Sequence, residues 1–320
     1  MVLCTAYVSI SHMAMKKSNT PAQRYLRYDL QNSATPDTET SHYIDLARDL
    51  SRVNRRLYRQ GKDYHVKKIS IMSSNTPNGE NRVSVSTIPG TWVSKMAWKR
   101  GFETWNRMNK DATKQISGEI AGTWADFKVH MDLTARTATL ASPLDNSNPG
   151  NAYLAGEWAH SLLISPDGTA GADDFSLHML GAHNGTPGAF SSVGLIKSYG
   201  ESRATVSSND PNVPGLVSDD PLVNVFDYGT TIDDVVDILE LSNDNPPYDI
   251  AAYPGDDTNG PKPAIVQDTT IVDGRATMAG FTAMLGLLEF EIRSPLANDT
   301  YSVLVELAPG KYRGIHAESI

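Results

Sequence analysis

Between Ser41 and Lys110 the apolar residues change period twice. Over Ser41–Gln60, Leu46, Leu50, Val53 and Leu57 recur at i, i+4, i+7 and i+11, the spacing of one helix face. Arg48, Arg52, Arg55 and Arg59 repeat that spacing two residues out of phase, which at about 100° per residue puts them roughly opposite the leucines. Ser41 as N-cap and Gly61 as stop would bound this helix. Period two then takes over. YHVKKISIM (64–72) and RVSVSTI (82–88) read as strands, separated by a turn over Asn75–Gly79 and ended by Pro89-Gly90. A helical period returns over Thr91–Asn109. There Trp98, Phe102 and Trp105 share a face, with packing onto a sheet as their expected role and base stacking the alternative.

Residues 1–40 hold a short strand pattern at Thr5–Ser11 and then a polar stretch with Pro21 and Pro36, an extended N-terminal arm. After residue 120 the texture becomes short strands between Gly/Pro/Asn/Asp separators: Ala125–Met131, Arg136–Ala141, Glu157–Ile164, Phe175–Leu180 and Ser191–Lys197. Residues 205–262 are loop-like, with an acidic helical pattern at Thr231–Leu241, and read as an exposed excursion. Strands resume at Ala264–Val272, Arg275–Ala283, Leu285–Ile292 and Tyr301–Leu307, the last with the look of a core strand. Many short strands with such turns indicate an all-β sandwich or barrel. At 320 residues the chain can bury a sizeable core, as one large all-β domain or two smaller ones.

Charge sharpens this picture. The net charge of −9 conceals a split: residues 1–110 carry +10 and residues 111–320 carry −19. The last turns of the first helix hold Arg52, Arg55, Arg56, Arg59 and Lys62 without an acid among them, a row that suits a polyanion such as a nucleic-acid backbone. The single cysteine, Cys4, excludes an intramolecular disulfide and a cysteine metal cage. No apolar run reaches the roughly 18 residues of a membrane-spanning helix, and the N-terminus makes a poor signal peptide.

The chain carries no phosphate-binding glycine loop, no dinucleotide fingerprint, no zinc-protease motif and no nucleophile elbow. No catalytic residue is assigned. Of the eight histidines, His160 and His178 could meet on adjacent strands with Glu157 or Asp174, but core or surface roles are the expectation and no metal ligand is assigned. The Asp pairs 173–174, 219–220, 233–234 and 256–257 match no calcium loop. No cofactor is called for, and a calcium ion shared between chains at an interface stays open as an alternative.

The texts IDLARDLSRVNRRLYRQGKDYHVKKISI (44–71) and TWVSKMAWKRGFETWNRM (91–108) resemble capsid proteins of small eukaryotic circular single-stranded DNA viruses, the Rep-encoding circovirus-like and bacilladnavirus-like lineages. The resemblance covers residues 41–130, and the remainder agrees in texture. It implies a single jelly-roll β-sandwich of two four-stranded antiparallel sheets with flanking helices, a shell domain over 41–320 after an arm at 1–40. It further implies many copies in an icosahedral virion, single-stranded DNA inside, assembly in the host nucleus, a cell-surface receptor and no membrane partner. The helix at 41–60 would precede the first core strand and face the genome. The helix at 91–109 would flank the sandwich, and 205–262 would decorate the outside. Such capsids usually begin with a long basic arm, which residues 1–40 lack. The expected nucleic-acid contacts are therefore Arg48, Arg52, Arg55, Arg56, Arg59, Lys62, Lys67 and Lys68, unless a basic segment precedes this sequence or the shell packs its genome weakly. Two other readings stand beside the shell protein: a β-sandwich carbohydrate-binding or glycan-processing protein, with tryptophans and Asp-rich loops as its site, and a DNA-binding protein that forms no closed particle.

Overall fold

The computed structural model describes residues 21–73, 80–115, 122, 124–164, 174–186, 189–203, 247–249 and 252–320. The expected strand at 5–11, the turn at 75–79, the acidic helix at 231–241 and the 205–262 excursion apart from 247–249 and 252–262 lie outside them. Along the chain come β1 (Tyr25–Gln31), β2 (Thr40–Asp45), α1 (Leu46–Asn54), β3 (Lys62–Ser73), β4 (Arg82–Thr87), α2 (Trp92–Gln115) and α3 (Leu133–Thr137). A small sheet follows, with β5 (Leu162–Ile164), β6 (Asp174–His178), β7 (Asn184–Thr186) and β8 (Ala189–Gly194), then α4 (Leu195–Glu201). The end is strand-rich: β9 (Ala264–Thr270), β10 (Arg275–Ala283), β11 (Leu287–Arg293), β12 (Thr300–Leu307), β13 (Pro309–Gly310), β14 (Gly314–Ile315) and β15 (Ala317–Ser319).

Eight of these strands build two antiparallel sheets, ordered β1-β12-β3-β10 and β2-β11-β4-β9. Taken in chain order, the eight pair from the outside inward: first with last (β1, β12), second with seventh (β2, β11), third with sixth (β3, β10), fourth with fifth (β4, β9). The period-two sequences explain which face turns inward. In β1, Leu26, Tyr28 and Leu30 are buried, and in β12, Tyr301, Val303, Val305 and Leu307. These join Ile69, Ile71, Val83, Val85, Leu288 and Phe290 from both sheets in one core, a β-sandwich.

The second sheet is covered on its other face too. β4 is buried over Val83–Thr87, and a second core of Val93, Ala97, Trp98, Phe127, Val129, Leu177 and Ile196 packs α2, β6, α4 and the segment around Phe127 onto this side. Although both its faces are covered, β4 keeps its alternation in sequence, with Ser84, Ser86 and Thr87 buried as well as Val83 and Val85. The first sheet leaves Lys67, Lys68 and Leu304 exposed.

Several expectations give way. Residues 21–40 are not an arm, because YLRYDLQ pairs along its whole length with β12. The helix expected over 41–60 starts only at Leu46. Thr40–Asp45 is strand β2, laddered to β11, and the Asp45 carboxylate accepts from the Arg48 N–H (3.1 Å) as the true N-cap. The helix ends where Arg55 turns left-handed (φ 54°). Gly61 therefore stops nothing; the Trp98 ring lies where its Cβ would be, 2.4 Å away. α1 sits between the second and third sandwich strands, not before the first, and α2 between the fourth and fifth. Residues 136–141 form the end of α3 and coil, since the Asp132 carboxylate caps the Ala135 N–H (2.7 Å). The run 157–164 is strand only at Leu162–Ile164, and 191–197 divides into β8 and α4 at Gly194. Residues 125–131 are extended but contribute a single bridge, His130 to His178.

Leu50 has no exposed surface and anchors α1 in the sandwich core. Leu50→Ala should cost about 2–5 kcal/mol, read by chemical denaturation. A loss below about 1 kcal/mol would show that α1 does not seal the core.

Candidate nucleic-acid interface

At the seam between the sandwich and residues 88–263 lies a buried polar network. The Asp45 carboxylate also accepts from the Trp158 indole (3.0 Å) and the Gln60 amide (3.3 Å). Arg48 donates through Nε to Asp49 (2.8 Å) and through its terminal nitrogen to the Ala141 carbonyl. Tyr28 donates to the other Asp49 oxygen (2.7 Å). Gln60 clasps the backbone of Val129 through both its amide atoms (2.7 and 3.1 Å). Burial raises Asp45, and it pushes Asp49 up to about 6 against the opposing pull of the Arg48 guanidinium. Burial also raises the Tyr28 phenol well above its ordinary value, with the Asp49 charge next.

Above this network opens a cleft of about 810 Å³. Its cationic wall is Arg52, Arg55 and Arg56, from the last turn of α1 and the loop after it, facing Lys128. Its aromatic wall is Trp105 of α2 with Trp124 and Trp158. Lys128 Nζ stands 4.8 Å from the Trp158 ring centre, a cation–π contact. Trp124 is 66 % exposed, an indole face open to solvent. Arg52 donates to the Ser142 hydroxyl (3.1 Å), and burial followed by the Arg48 charge lowers its pKa. Cations beside stacking faces are what an unpaired nucleic-acid strand needs: charge for phosphates, rings for bases.

The eight residues expected to contact nucleic acid thus separate. Arg52, Arg55 and Arg56 come together on the cleft. Arg48 also lines the cleft but is only 5 % exposed, with its charge engaged by Asp49, and its place as a free cation in the stripe opposite the leucines is corrected accordingly. Helical phase put it on the outer face, but the insertion covers that face. Arg59 reaches Asp126 (2.8 Å). Lys62, Lys67 and Lys68 lie on β3; Lys62 caps the Tyr312 ring at 4.4 Å and Lys67 bridges to Glu306 (2.7 Å).

Lys128 escaped the sequence reading, which counted Trp124 and Trp158 among the tryptophans expected to pack or to meet a neighbouring subunit. The signal available was the interleaving of ring and cation in WADFK (124–128). The shared aromatic face expected in α2 is present: Trp98 and Phe102 lie parallel at 5.4 Å, and both, with Trp105, pack against Phe127.

His160 and His178, which the sequence allowed to meet on adjacent strands, do not do so. His178 engages Ser192 (2.7 Å) and the Ala182 carbonyl (2.9 Å) through its two ring nitrogens, while His160 stacks on His130 at 3.7 Å. Asp256 accepts from the backbone N–H groups of Thr258 and Asn259 (2.8 and 2.7 Å), and Asp257 pairs with Lys197.

The two arginine environments predict opposite outcomes. Arg48→Ala strands the buried Asp49 and should cost about 3–5 kcal/mol, whereas Arg56→Gln, on an exposed residue, should stay within about 0.5 kcal/mol. Equal effects in urea denaturation would show that Arg48 is not part of the core. A second prediction concerns pH. Burial, then the His160 charge, pushes His130 down to about 3; burial, then Lys128, pushes His160 down to about 4. Unfolded histidines take protons near pH 6.5, so the unfolded state binds more protons below that value and stability falls as pH drops from about 6.5 toward 4. Asp49 works the other way between about 4 and 6, so the comparison must be differential. The double variant His130→Asn, His160→Gln should lose less stability than the parent between about pH 7.5 and 5.5 (roughly one unit either side of the unfolded value); parallel losses would refute it.

Comparison with protein-family models, curated proteins and solved structures finds no match to this chain.

Proposed function

We propose that this chain is the shell protein of a small single-stranded DNA virus. In this reading it is a single jelly roll that assembles in many copies into a closed icosahedral shell, with the cleft beside α1 holding genome on the inner surface. The observation that carries the reading is the outside-in pairing of eight strands, four in each of two facing sheets, the first of which β15 extends at the edge of β3. A hairpin rolled around a sandwich produces that order, and jelly rolls recur in viral shells. The long excursion between the fourth and fifth strands, the +10/−19 charge split and the cationic, tryptophan-walled cleft support it further. Binding would be mainly electrostatic, through phosphate neutralisation and counterion release, with tryptophan stacking indifferent to base identity.

A glycan-binding β-sandwich is the second reading. One observation favours it: the exposed Trp124 ring shares the cleft with the Glu157 side chain, and a flat indole beside a carboxylate also suits a sugar.

Electron microscopy of the purified chain, with nucleic-acid-to-protein ultraviolet absorbance on the same sample, separates the two. Closed particles carrying nucleic acid are expected. The triple variant Arg52→Gln, Arg55→Gln, Arg56→Gln should still form particles but package much less, and Trp124→Ala should lower packaging further. Unchanged packaging would remove the cleft from the genome contact. A small, discrete, nucleic-acid-free species that binds a glycan array would overturn the shell reading.

A further inference from the structure

Apart from the cleft, β3 meets the last strand of the chain at a cluster of three ligand-type side chains. β12 pairs with β3 only as far as Val66, after a register shift between Glu306 and Leu307. The chain then turns through β13 and β14, and β15 takes up the vacated edge of β3, with Ala317 opposite Tyr64 and Ser319 opposite Lys62. His316 lies just ahead of β15, and the carbonyl of His316 accepts from the His65 N–H (3.1 Å). In an extended chain alternate residues share a face, so His316 and Glu318 project together beside His65. The imidazoles of His65 and His316 lie 4.0 Å apart, and one Glu318 oxygen is 3.4 Å from His316 Nε2 and 3.9 Å from His65 Nε2. One nitrogen or oxygen from each of the three falls within 4.8 Å of the other two.

The state of His65 points to a ligand. Its Nδ1 contacts the Thr282 hydroxyl (2.9 Å) on β10, the other neighbour of β3, while its Nε2 is buried without a hydrogen-bond partner. The Thr282 hydroxyl can accept the Nδ1 proton, and in that tautomer the Nε2 lone pair faces the cluster. Such an outer partner is what orients metal-binding histidines.

We propose that His65, His316 and Glu318 form a site for a divalent transition metal, zinc by preference, that clips the C-terminal strand onto β3. Two imidazoles and a carboxylate are a borderline-soft set suited to zinc and unsuited to calcium, which takes six to eight oxygens. Donor atoms around a tetrahedral zinc stand roughly 3.3 Å apart at bond lengths of about 2.0 Å, so the 3.4 and 3.9 Å separations need only small side-chain adjustments. Three protein donors leave the fourth position to water. Without the ion, β15 is held by a ladder of three residues; with it, two side chains of the terminal segment are tied to a central strand. The site is independent of any genome contact.

The test uses the full chain, stripped with a chelator and titrated separately with zinc, cobalt(II) and calcium. One zinc per chain is expected, together with the visible bands of four-coordinate cobalt and a melting temperature raised by zinc but not by calcium. His316→Ala should weaken zinc at least tenfold and abolish both the cobalt bands and the thermal shift. Glu318→Gln, at a position 67 % exposed and close in shape, should do the same if His316→Ala fails to fold. Zinc bound equally well by a folded variant, octahedral cobalt spectra, or no binding by the parent chain would each overturn the proposal.

Discussion

Two carboxylates with no solvent access, Asp45 and Asp49, set the terms for this part of the molecule. Removing two such charges from water is costly, and they are tolerated because every neighbouring element supplies a donor: Arg48 from α1, Tyr28 from β1, Gln60 from the loop before β3, and Trp158 from the insertion. The donors come from segments far apart in sequence, so the network closes only when the sandwich and residues 88–263 are docked together. Asp45 has a second duty as N-cap, so the same side chain marks where β2 becomes α1. The junction fixes the direction of the helix and, with it, where the next arginines emerge.

That arrangement gives the arginine row a division of labour. Arg48 is consumed in holding the junction, Arg52 is half withdrawn onto Ser142, and Arg55 and Arg56 stand at the surface after the helix has ended. Across the cleft stand Trp105, Trp124, Trp158 and Lys128, of which Trp158 is bonded directly into the network and Lys128 adjoins the Val129 backbone that Gln60 holds. A cleft with one wall from each body binds an extended polyanion better than a lone cationic helix, since phosphates and rings can be engaged at once. The His65–His316–Glu318 cluster answers a separate need, closure of the chain end on a strand whose first partner has already turned away.

Legibility followed the number of faces a segment buries. β3, β4, β10, β12 and α2 lie close to their predicted ranges, because each carries several turns or pleats of consistent periodicity. β1 was missed although YLRYDLQ alternates cleanly; it was absorbed into a polar context with two prolines. The middle strands shortened or became helix where side-chain caps, such as Asp132 on Ala135, satisfied backbone groups locally. In 41–60 helical spacing extended past both ends of the real helix. Propensity and period cannot register that β11 offers Thr40–Asp45 a complete ladder, a gain made only across about 250 residues of sequence.

By itself the sequence determined a mostly β protein with two conspicuous amphipathic helices, a charge split, and an arginine row over an apolar floor of Leu46 and Leu50. These are properties of local pattern, and local pattern is set by which side chains must leave water. Only the tertiary structure decided which arginines remain available, that the strands pair from the outside inward, that Trp124 and Lys128 face those arginines, and that His65 meets His316 from the far end of the chain. Each of those is a contact between residues distant in sequence. Its formation depends on how two sheets and an insertion close on one another, and no periodicity along the chain encodes that.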